Sequence, residues 1–208
     1  MDSGVVQAER GQEGRFHIRA DRRIFCAMTF SQTPLEGSYV IKLSPRGDER
    51  GWFARTYCEN EFREIGHDAH WVQMNHSYTA KKGTVRGMHF QVPPYKEIKM
   101  VRCVRGKVYD VIVDIRKDSR TFLQWFGVEL SPAEMNMIYI PQGFAHGFQT
   151  LEDDSELIYQ HSAFYTPGAE DGIMYNDPAV DIKWPLEVTS VSERDTSHPI
   201  VTEKFKGI

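Results

Sequence analysis

Short stretches of alternating or continuous apolar residues follow one another along the chain from about Ser38, separated by Gly, Pro and Asp. Such stretches are typical of β-strands, and turns at regular intervals indicate a sandwich or a barrel. About ten strands in one domain predict an all-β fold, a jelly-roll β-barrel with a few short helices. The predicted strands are Tyr39–Leu43, Trp52–Tyr57, Trp71–Tyr78, Thr84–Gln91, Ile98–Val104, Lys107–Ile115, Gln124–Leu130, Met137–Ile140, Phe144–Leu151 and Glu156–Phe164.

The clearest strand is Val108–Asp114, whose β-branched and nearly continuous apolar residues predict that both of its faces are covered. The residues before it, Arg105-Gly106-Lys107, predict a tight hairpin turn in which Gly106 adopts a positive φ.

Helix is scarce, and the best candidate is Glu59–Gly66. We expect Asn60 to cap this helix, Phe62 and Ile65 to share one face, and Gly66 to end it.

The length of 208 residues fits one ordinary domain with short additions. Residues 1–27 are rich in Gln, Glu, Arg and Gly and lack the apolar stretch of a secretory signal, so we predict a flexible leader. Residues 28–208 then form a single domain, in which the stretch from Pro167 wraps the barrel as loops and short turns. Because no apolar run approaches the roughly 20 residues that span a bilayer, no membrane partner is expected.

The formal net charge of −4 is mild and no long basic block is present, which argues against a nucleic-acid partner. The cysteines, Cys26, Cys58 and Cys103, are far apart, odd in number and form no CxxC pair. This spacing favours reduced thiols in a cytoplasmic protein over a zinc site or a disulfide framework.

One segment with titratable groups inside an apolar strand is Arg86–Gln91. Strict alternation sends Arg86 to one face of this strand and Gly87, His89 and Gln91 to the other. Since a glycine beside a histidine leaves room for a ligand to approach, this face is a candidate site.

A second such segment is Ile140–Phe148, in which a Pro-x-Gly turn is followed three residues later by His146. This segment resembles the second motif of the cupin superfamily, and Gly87–Gly106 resembles the first. Many cupins bind a metal through two His and a Glu of the first motif and the His of the second. Here Gln91 stands where a second His would lie, and Lys99 brings a cation that repels a divalent ion. We therefore expect neither a metal nor another cofactor.

His, Lys and Tyr in a barrel pocket suit proton transfer beside a ketone. Histidine is a base whose ordinary pKa lies near the working pH, and Lys99 can stabilise the enolate oxygen that develops. A tyrosine suits the return of a proton to the opposite face, and a carboxylate on the histidine would fix its tautomer. These are the parts of an epimerase.

A series of ordered blocks makes a more specific resemblance: Asp48–Phe53, Gln73–Ser77, Val85–Gln91, Lys99–Cys103, Asp110–Arg116, Ser119–Phe122, Ile140–Phe148, Asn176–Pro178 and Ile182–Pro185. From about Phe30 to Pro199 the chain resembles the dTDP-4-dehydrorhamnose 3,5-epimerase family. The resemblance implies an isomerase that inverts C3, C5 or both of a nucleoside-diphosphate 4-keto-6-deoxy sugar, of the dTDP-4-dehydro-6-deoxyglucose to dTDP-4-dehydrorhamnose type. It also implies a homodimer.

Residue roles follow from the same resemblance. His89 matches the catalytic base, Asp195 its paired carboxylate, Lys99 the lysine beside the sugar's C4 oxygen, and Tyr159 the general acid. The positions implied to bind the substrate are Arg50 and Arg86, which hold the diphosphate, together with Gln73, Asn75, His146 and Tyr165.

Three departures from the family's usual residues leave the substrate open: Arg55, Met74 and the loop Val92–Ile98. We expect them near the entrance for the sugar nucleotide. A GDP- or CDP-linked sugar, epimerisation at one carbon, and a ketoisomerase on the same substrates all remain alternatives.

Two rival functions come from other classes. A metal-dependent cupin would use His89, Glu97 and His146, and a non-catalytic sugar-binding cupin would need no matched acid and base. Without the resemblance, Tyr159 and Tyr165 would be interpreted as aromatics that fill the barrel. Asp110 and Asp114 are interpreted as structural hydrogen-bond partners.

Overall fold

A computed structural model of the protein describes residues 27–208. The predicted flexible leader, residues 1–27, lies outside the described residues except for Ala27, and it stays a prediction. Among the described residues, no helix is long and apolar enough to cross a bilayer.

The described chain consists mainly of β-strands. In chain order they are β1 (Thr29–Gln32), β2 (Tyr39–Lys42), β3 (Arg46–Asp48), β4 (Gly51–Phe53), β5 (Gln73–Thr79), β6 (Val85–Gln91), β7 (Lys99–Arg105), β8 (Val108–Asp114), β9 (Trp125–Leu130), β10 (Asn136–Ile140), β11 (Phe144–Thr150), β12 (Ser155–His161) and β13 (Glu170–Gly172). The helices are α1 (Glu59–Phe62), continued by a 3-10 turn over Arg63–Ile65, and α2 (Glu193–Thr196).

The strands form two large antiparallel sheets. One has the order β1-β2-β10-β7-β12-β5, and the other has the order β13-β6-β11-β8-β9. Their inner faces pack together around a buried core that includes Val101, Leu157, Ile112 and Phe148. The prediction of an all-β jelly roll with a few short helices is confirmed.

The outer face of each large sheet is covered as well. Ile173, Val180 and Ile182 from the C-terminal stretch pack on the five-stranded sheet, as the predicted wrapping requires. Phe62 of α1 lies in a cluster on the outer face of the six-stranded sheet. Strand β8 is consequently buried along its length except at Tyr109, which agrees with the expected cover on both faces.

The predicted strand Trp52–Tyr57 is wrong beyond Phe53. Strand β4 pairs only with β3, in a small hairpin that belongs to neither large sheet. The ring of Tyr57 instead packs against Phe62, with 4.9 Å between the ring centroids, so its apolar character serves packing rather than strand pairing. Strands β1, β3 and β13 were not predicted, because they are short and weakly patterned.

The predicted helix Glu59–Gly66 begins and ends where expected, but its cap differs. Cys58, rather than Asn60, occupies the capping position, because its carbonyl accepts the N–H groups of the residues three and four positions later. Gly66 ends the segment with a φ of 79°. Gly106 likewise has the positive φ, 71°, that the hairpin turn predicted.

Candidate active site

A cavity of about 540 Å³ opens between the two large sheets, within the size range of small-molecule sites. It is lined from the six-stranded sheet by β5, β7 and β12, and from the five-stranded sheet by β6 and β11. Nine of the ten residues predicted for the site line it: His89, Asp195, Lys99, Tyr159, Gln73, Asn75, Arg86, His146 and Tyr165.

Arg86 and His89 both reach this cavity, whereas strict alternation predicted opposite faces. The reason is a bulge in β6. Arg86 pairs with Phe148 and His89 with His146, so two residues of β6 lie opposite the single residue Gly147 of β11. An extra residue in one strand reverses the alternation beyond it and places both side chains on one face.

The bulge depends on the close approach of two glycines. A Cβ on Gly87 would lie 2.6 Å from the Cα of Gly147 and 2.8 Å from the carbonyl oxygen of His146. Gly87 also has a φ of 124°, in the region that favours glycine. The backbone can therefore take this course only without side chains at the crossing.

The His89 ring is paired with a carboxylate. Its Nε2 lies 2.7 Å from Oδ1 of Asp195, and Oδ2 of the same carboxylate accepts the Gly87 N–H at 3.0 Å. Ser192 caps α2 by accepting the Asp195 N–H, which positions the carboxylate. With Nε2 engaged, Nδ1 of His89 is the ring nitrogen that can exchange a proton with a ligand.

Asp195 itself is buried. Burial alone would raise the pKa of this carboxyl group, but the hydrogen bonds from His89 and Gly87 outweigh burial and lower the pKa to about 2. Asp195 is therefore an anion at neutral pH and can stabilise a proton that His89 accepts.

Tyr159 and Lys99 face the cavity from the opposite, six-stranded sheet. The Tyr159 hydroxyl lies 3.0 Å from Ser77 Oγ, and burial raises the pKa of this phenol well above its ordinary value. Tyr159 therefore keeps its proton at neutral pH and can donate it. The Lys99 ammonium lies 3.0 Å from Oε1 of Glu97.

A second histidine–carboxylate pair lies deeper in the cavity. His146 Nε2 is 2.9 Å and 3.1 Å from the two oxygens of Asp110, and both residues are buried. Burial raises the pKa of Asp110, and the neighbouring His146 and Lys99 oppose that rise. Asp110 thus fixes the His146 ring. Asp114 instead binds Arg116, Ser119 and Thr121, away from the cavity.

Three of the predicted substrate-binding residues are tied to one another. The backbone N–H of Tyr165 donates to Gln73 Oε1, and Gln73 Nε2 donates to Asn75 Oδ1. Arg86 donates from Nε to Thr79 Oγ1 at 2.9 Å, which holds its guanidinium at the cavity from the five-stranded side.

Arg50 is the predicted site residue that the structure does not bring to this cavity. It lies in the β3–β4 hairpin with 84% of its side chain exposed, and it pairs with Asp48. Within residues 27–208 this hairpin belongs to neither large sheet, and Arg50 does not line the cavity that contains His89.

Comparisons with known proteins identify the family to which this chain is similar. The family model described as dTDP-4-dehydrorhamnose 3,5-epimerase matches residues 32–203. A dTDP-4-dehydrorhamnose 3,5-epimerase of Shigella flexneri is 45% identical over 169 residues, which are 81% of this chain and 93% of that protein.

The chain belongs to the dTDP-4-dehydrorhamnose 3,5-epimerase family. Its relatives place it among the isomerases.

Solved structures extend the likeness to the fold of this epimerase family. The dTDP-4-dehydrorhamnose 3,5-epimerase of Elizabethkingia anophelis has a TM-score of 0.82 at 36% identity, covering 86% of this chain and 99% of that one. A 3,5-epimerase of Legionella pneumophila, solved in complex with dTDP-4-keto-L-rhamnose, has a TM-score of 0.79 at 36% identity, covering 83% of this chain and 92% of that one. The expected cupin-type architecture is thereby supported at the level of the whole domain.

The three departures from the usual epimerase residues, Arg55, Met74 and the loop Val92–Ile98, lie in different surroundings. Arg55 pairs with Glu61, and Met74 is 62% exposed, and neither lines the cavity described here. The loop Val92–Ile98 does contribute to the cavity, through Glu97. The expectation that all three lie near the entrance stays a prediction, and of the three only the loop supplies a residue that lines this cavity.

The rival metal site would need His89, Glu97 and His146 to converge. Among residues 27–208, the one group of three possible ligands with atoms within 4.8 Å of one another is His89, Asp195 and His198. Glu97 and His146 are instead bonded to other side chains.

His161, Ser77 and Arg194 also line the cavity and were not predicted as site residues. His161 carried a usable signal, because it lies two positions after Tyr159 on one strand and so shares its face. Arg194 carried no such signal, because it lies in helix α2, where strand alternation does not apply. It reaches the cavity beside the predicted Asp195.

Because the folded-state pKa of Asp195 lies below its ordinary value of 3.8, ionised Asp195 stabilises the folded protein above about pH 4, and this stabilisation is lost as the pH falls toward 2. We expect the free energy of unfolding to fall more steeply between pH 4 and 2 in the wild type than in Asp195→Asn. Urea unfolding across this range measures both. Glu193→Gln, which changes an exposed carboxylate on the same helix, should keep the wild-type slope. Parallel curves for wild type and Asp195→Asn would contradict the account.

Proposed function

We propose that the protein inverts the configuration at C3, C5 or both of a nucleoside-diphosphate 4-keto-6-deoxy sugar, of the dTDP-4-dehydro-6-deoxyglucose to dTDP-4-dehydrorhamnose type. The observation that carries this proposal is the placement of a base and an acid on opposite sheets. His89, paired with Asp195, enters the cavity from the five-stranded sheet, and Tyr159 enters from the six-stranded sheet. The names of the relatives support the substrate class.

In the proposed reaction, His89 Nδ1 removes the proton from a carbon beside the C4 ketone. The electron pair of the broken C–H bond moves into the C3–C4 or C4–C5 bond, and the carbonyl oxygen becomes an enolate. Lys99 stabilises that oxygen by charge and hydrogen bonding. Tyr159, kept protonated by burial, returns a proton to the opposite face of the carbon. Solvent then takes the proton from His89 and returns one to Tyr159, which restores both residues. Nothing is oxidised or reduced overall, so the residues need no redox partner.

The pairing of His89 with Asp195 suits the base for this step. The carboxylate fixes the ring tautomer with the proton on Nε2, so that Nδ1 is free to accept one. The same anion stabilises the imidazolium that forms. His146, held by Asp110, supports the cavity floor behind the reacting sugar.

The proposal predicts deuterium incorporation from D₂O into dTDP-4-keto-6-deoxyglucose at C3, C5 or both, followed by NMR with chelator-treated protein. His89→Asn should lower the rate by about 10²- to 10⁴-fold, the contribution typical of a general base. Tyr159→Phe should still wash deuterium into the substrate but form less epimer, because the base is intact and the acid is lost.

The matched control is His76→Asn, since His76 also pairs with a carboxylate, Glu156, but lies outside the cavity. It should keep the wild-type rate. A folded wild-type protein that exchanges neither carbon would refute the dTDP-sugar assignment and direct the assay to GDP- and CDP-linked sugars. A 3-keto product would identify a ketoisomerase instead.

We further propose that the protein is a cytoplasmic homodimer in which Arg50 of one protomer enters the cavity of its partner and binds the diphosphate. In the hairpin that carries Arg50, Trp52 is 58% exposed and Phe53 is 75% exposed, which is unusual for large aromatic side chains on a monomer surface.

The proposed cytoplasmic location is supported by the cysteines. The two in the described part of the chain, Cys58 and Cys103, are free, which suits a reducing compartment.

A subunit-mixing experiment tests this arrangement at substrate concentrations below KM. Arg50→Ala should raise KM about ten-fold or more, because a hydrogen bond to a charged group is lost. Mixing it with His89→Asn should restore up to about a quarter of wild-type activity, since a mixed dimer contains one intact cavity. Arg46→Ala, on the same hairpin, is the control. Absence of any recovery in mixed dimers would contradict the exchange of hairpins.

A further inference from the structure

A continuous chain of one ion pair and several hydrogen bonds crosses the six-stranded side of the cavity. Lys99 Nζ lies 3.0 Å from Glu97 Oε1, and His161 Nδ1 lies 2.7 Å from Glu97 Oε2. His161 Nε2 lies 3.3 Å from Asn75 Nδ2, and Asn75 Oδ1 accepts from Gln73 Nε2 at 3.2 Å. Glu97 and His161 are thus the link between Lys99 and the predicted substrate-binding amides.

The donors and acceptors at the two ends give this chain one direction. A lysine ammonium can only donate, so the Glu97 carboxylate accepts from both of its neighbours, and His161 carries its proton on Nδ1. At the other end, the backbone N–H of Tyr165 donates to Gln73 Oε1. The Gln73 amide nitrogen must then donate to Asn75 Oδ1, and the Asn75 amide nitrogen to His161 Nε2. Every amide in the chain therefore has one orientation.

The charges in this chain are nearly removed from solvent. The exposed fractions of the side chains are 9% for Glu97, 11% for His161 and 13% for Lys99. Burial alone would raise the pKa of Glu97, but the hydrogen bond from His161 and the charge of Lys99 outweigh burial and lower it. A buried ammonium needs such a counter-charge, because an unpaired charge is costly to desolvate.

We propose that Glu97 and His161 are positioning residues for the epimerase reaction. Glu97 holds Lys99 charged and aimed into the cavity while using one of the three N–H donors of the ammonium. His161 holds the second oxygen of Glu97 and fixes the Asn75 and Gln73 amides in one orientation. This inference rests on the proposed function, since it assigns Lys99 to the enolate oxygen.

His161 also packs beside the proposed acid. Its ring is nearly parallel to that of Tyr159, with 6.2 Å between the ring centroids. His161 therefore packs beside the proposed acid, Tyr159, and also binds Glu97, which pairs with the proposed enolate-stabilising cation, Lys99. A purely structural role would cost stability on removal and leave the turnover of the folded enzyme unchanged, whereas a positioning role predicts a loss of kcat.

The test compares His161→Phe, His161→Gln and Glu97→Gln by kcat, KM and thermal melting, with deuterium exchange at each carbon as the assay. His161→Phe keeps a ring but no hydrogen bonds. We expect kcat to fall about 10- to 100-fold, as for a misplaced catalytic group, and KM to rise because the Asn75 and Gln73 amides lose their fixed orientation. Glutamine at position 161 offers one donor and one acceptor, so His161→Gln should recover most of kcat. Glu97→Gln should lower kcat like His161→Phe.

The matched control is His76→Phe. His76 of β5 also pairs with a glutamate, Glu156 of β12 at 3.0 Å, and lies outside the cavity. It should keep wild-type kcat. The double variant Glu97→Gln, His161→Phe should lose little more than either single variant, because both act through Lys99.

The inference is overturned if His161→Phe turns over like the wild type, or if His161→Gln is as impaired as His161→Phe. A variant that melts below the assay temperature is assayed at a lower temperature against wild type. The failure of the proposed function is distinguishable, because it would appear as a wild-type protein that exchanges neither carbon.

Discussion

The contact between Gly87 and Gly147 is the constraint on which the site depends. Two residues of β6 pass one residue of β11 at this contact, and a side chain at either position would strike backbone atoms. The resulting bulge turns Arg86 and His89 into one cavity and aims the Gly87 N–H at Asp195. A local backbone irregularity thereby delivers the proposed base, the carboxylate that orients it and a cation to the same place.

The two large sheets contribute different groups to the proposed reaction. The five-stranded sheet supplies His89, which Asp195 of α2 orients, and the six-stranded sheet supplies a protonated Tyr159 and a paired Lys99. Inversion at a carbon needs proton removal on one face and proton return on the other. A cavity between two opposed sheets lets the two groups approach from opposite sides without a conformational change. The closely packed inner core that joins the sheets fixes the spacing between the proposed acid and the proposed base.

Much of the fold was predictable because strand patterning and turns are local. Strand β8 and the turn at Gly106 follow directly from the β-branched run and the glycine before it. The orientation of Arg86 was not predictable from alternation, because the bulge is set by a partner strand far along the chain. The link between Glu97 and His161 is equally long-range. Arg50 was identified by resemblance, and within residues 27–208 it lies in an exposed hairpin that does not line the cavity.

The most direct test of the account is a crystal structure of the wild-type protein with dTDP-glucose, an unreactive analogue that lacks the ketone. The account predicts that C3 or C5 of the sugar lies within about 3.5 Å of His89 Nδ1, the distance of a near-attack arrangement. Lys99 should contact the C4 oxygen, and the Tyr159 hydroxyl should lie on the opposite face of the ring. A sugar bound with His89 and Tyr159 on the same face, or outside the cavity, would contradict it.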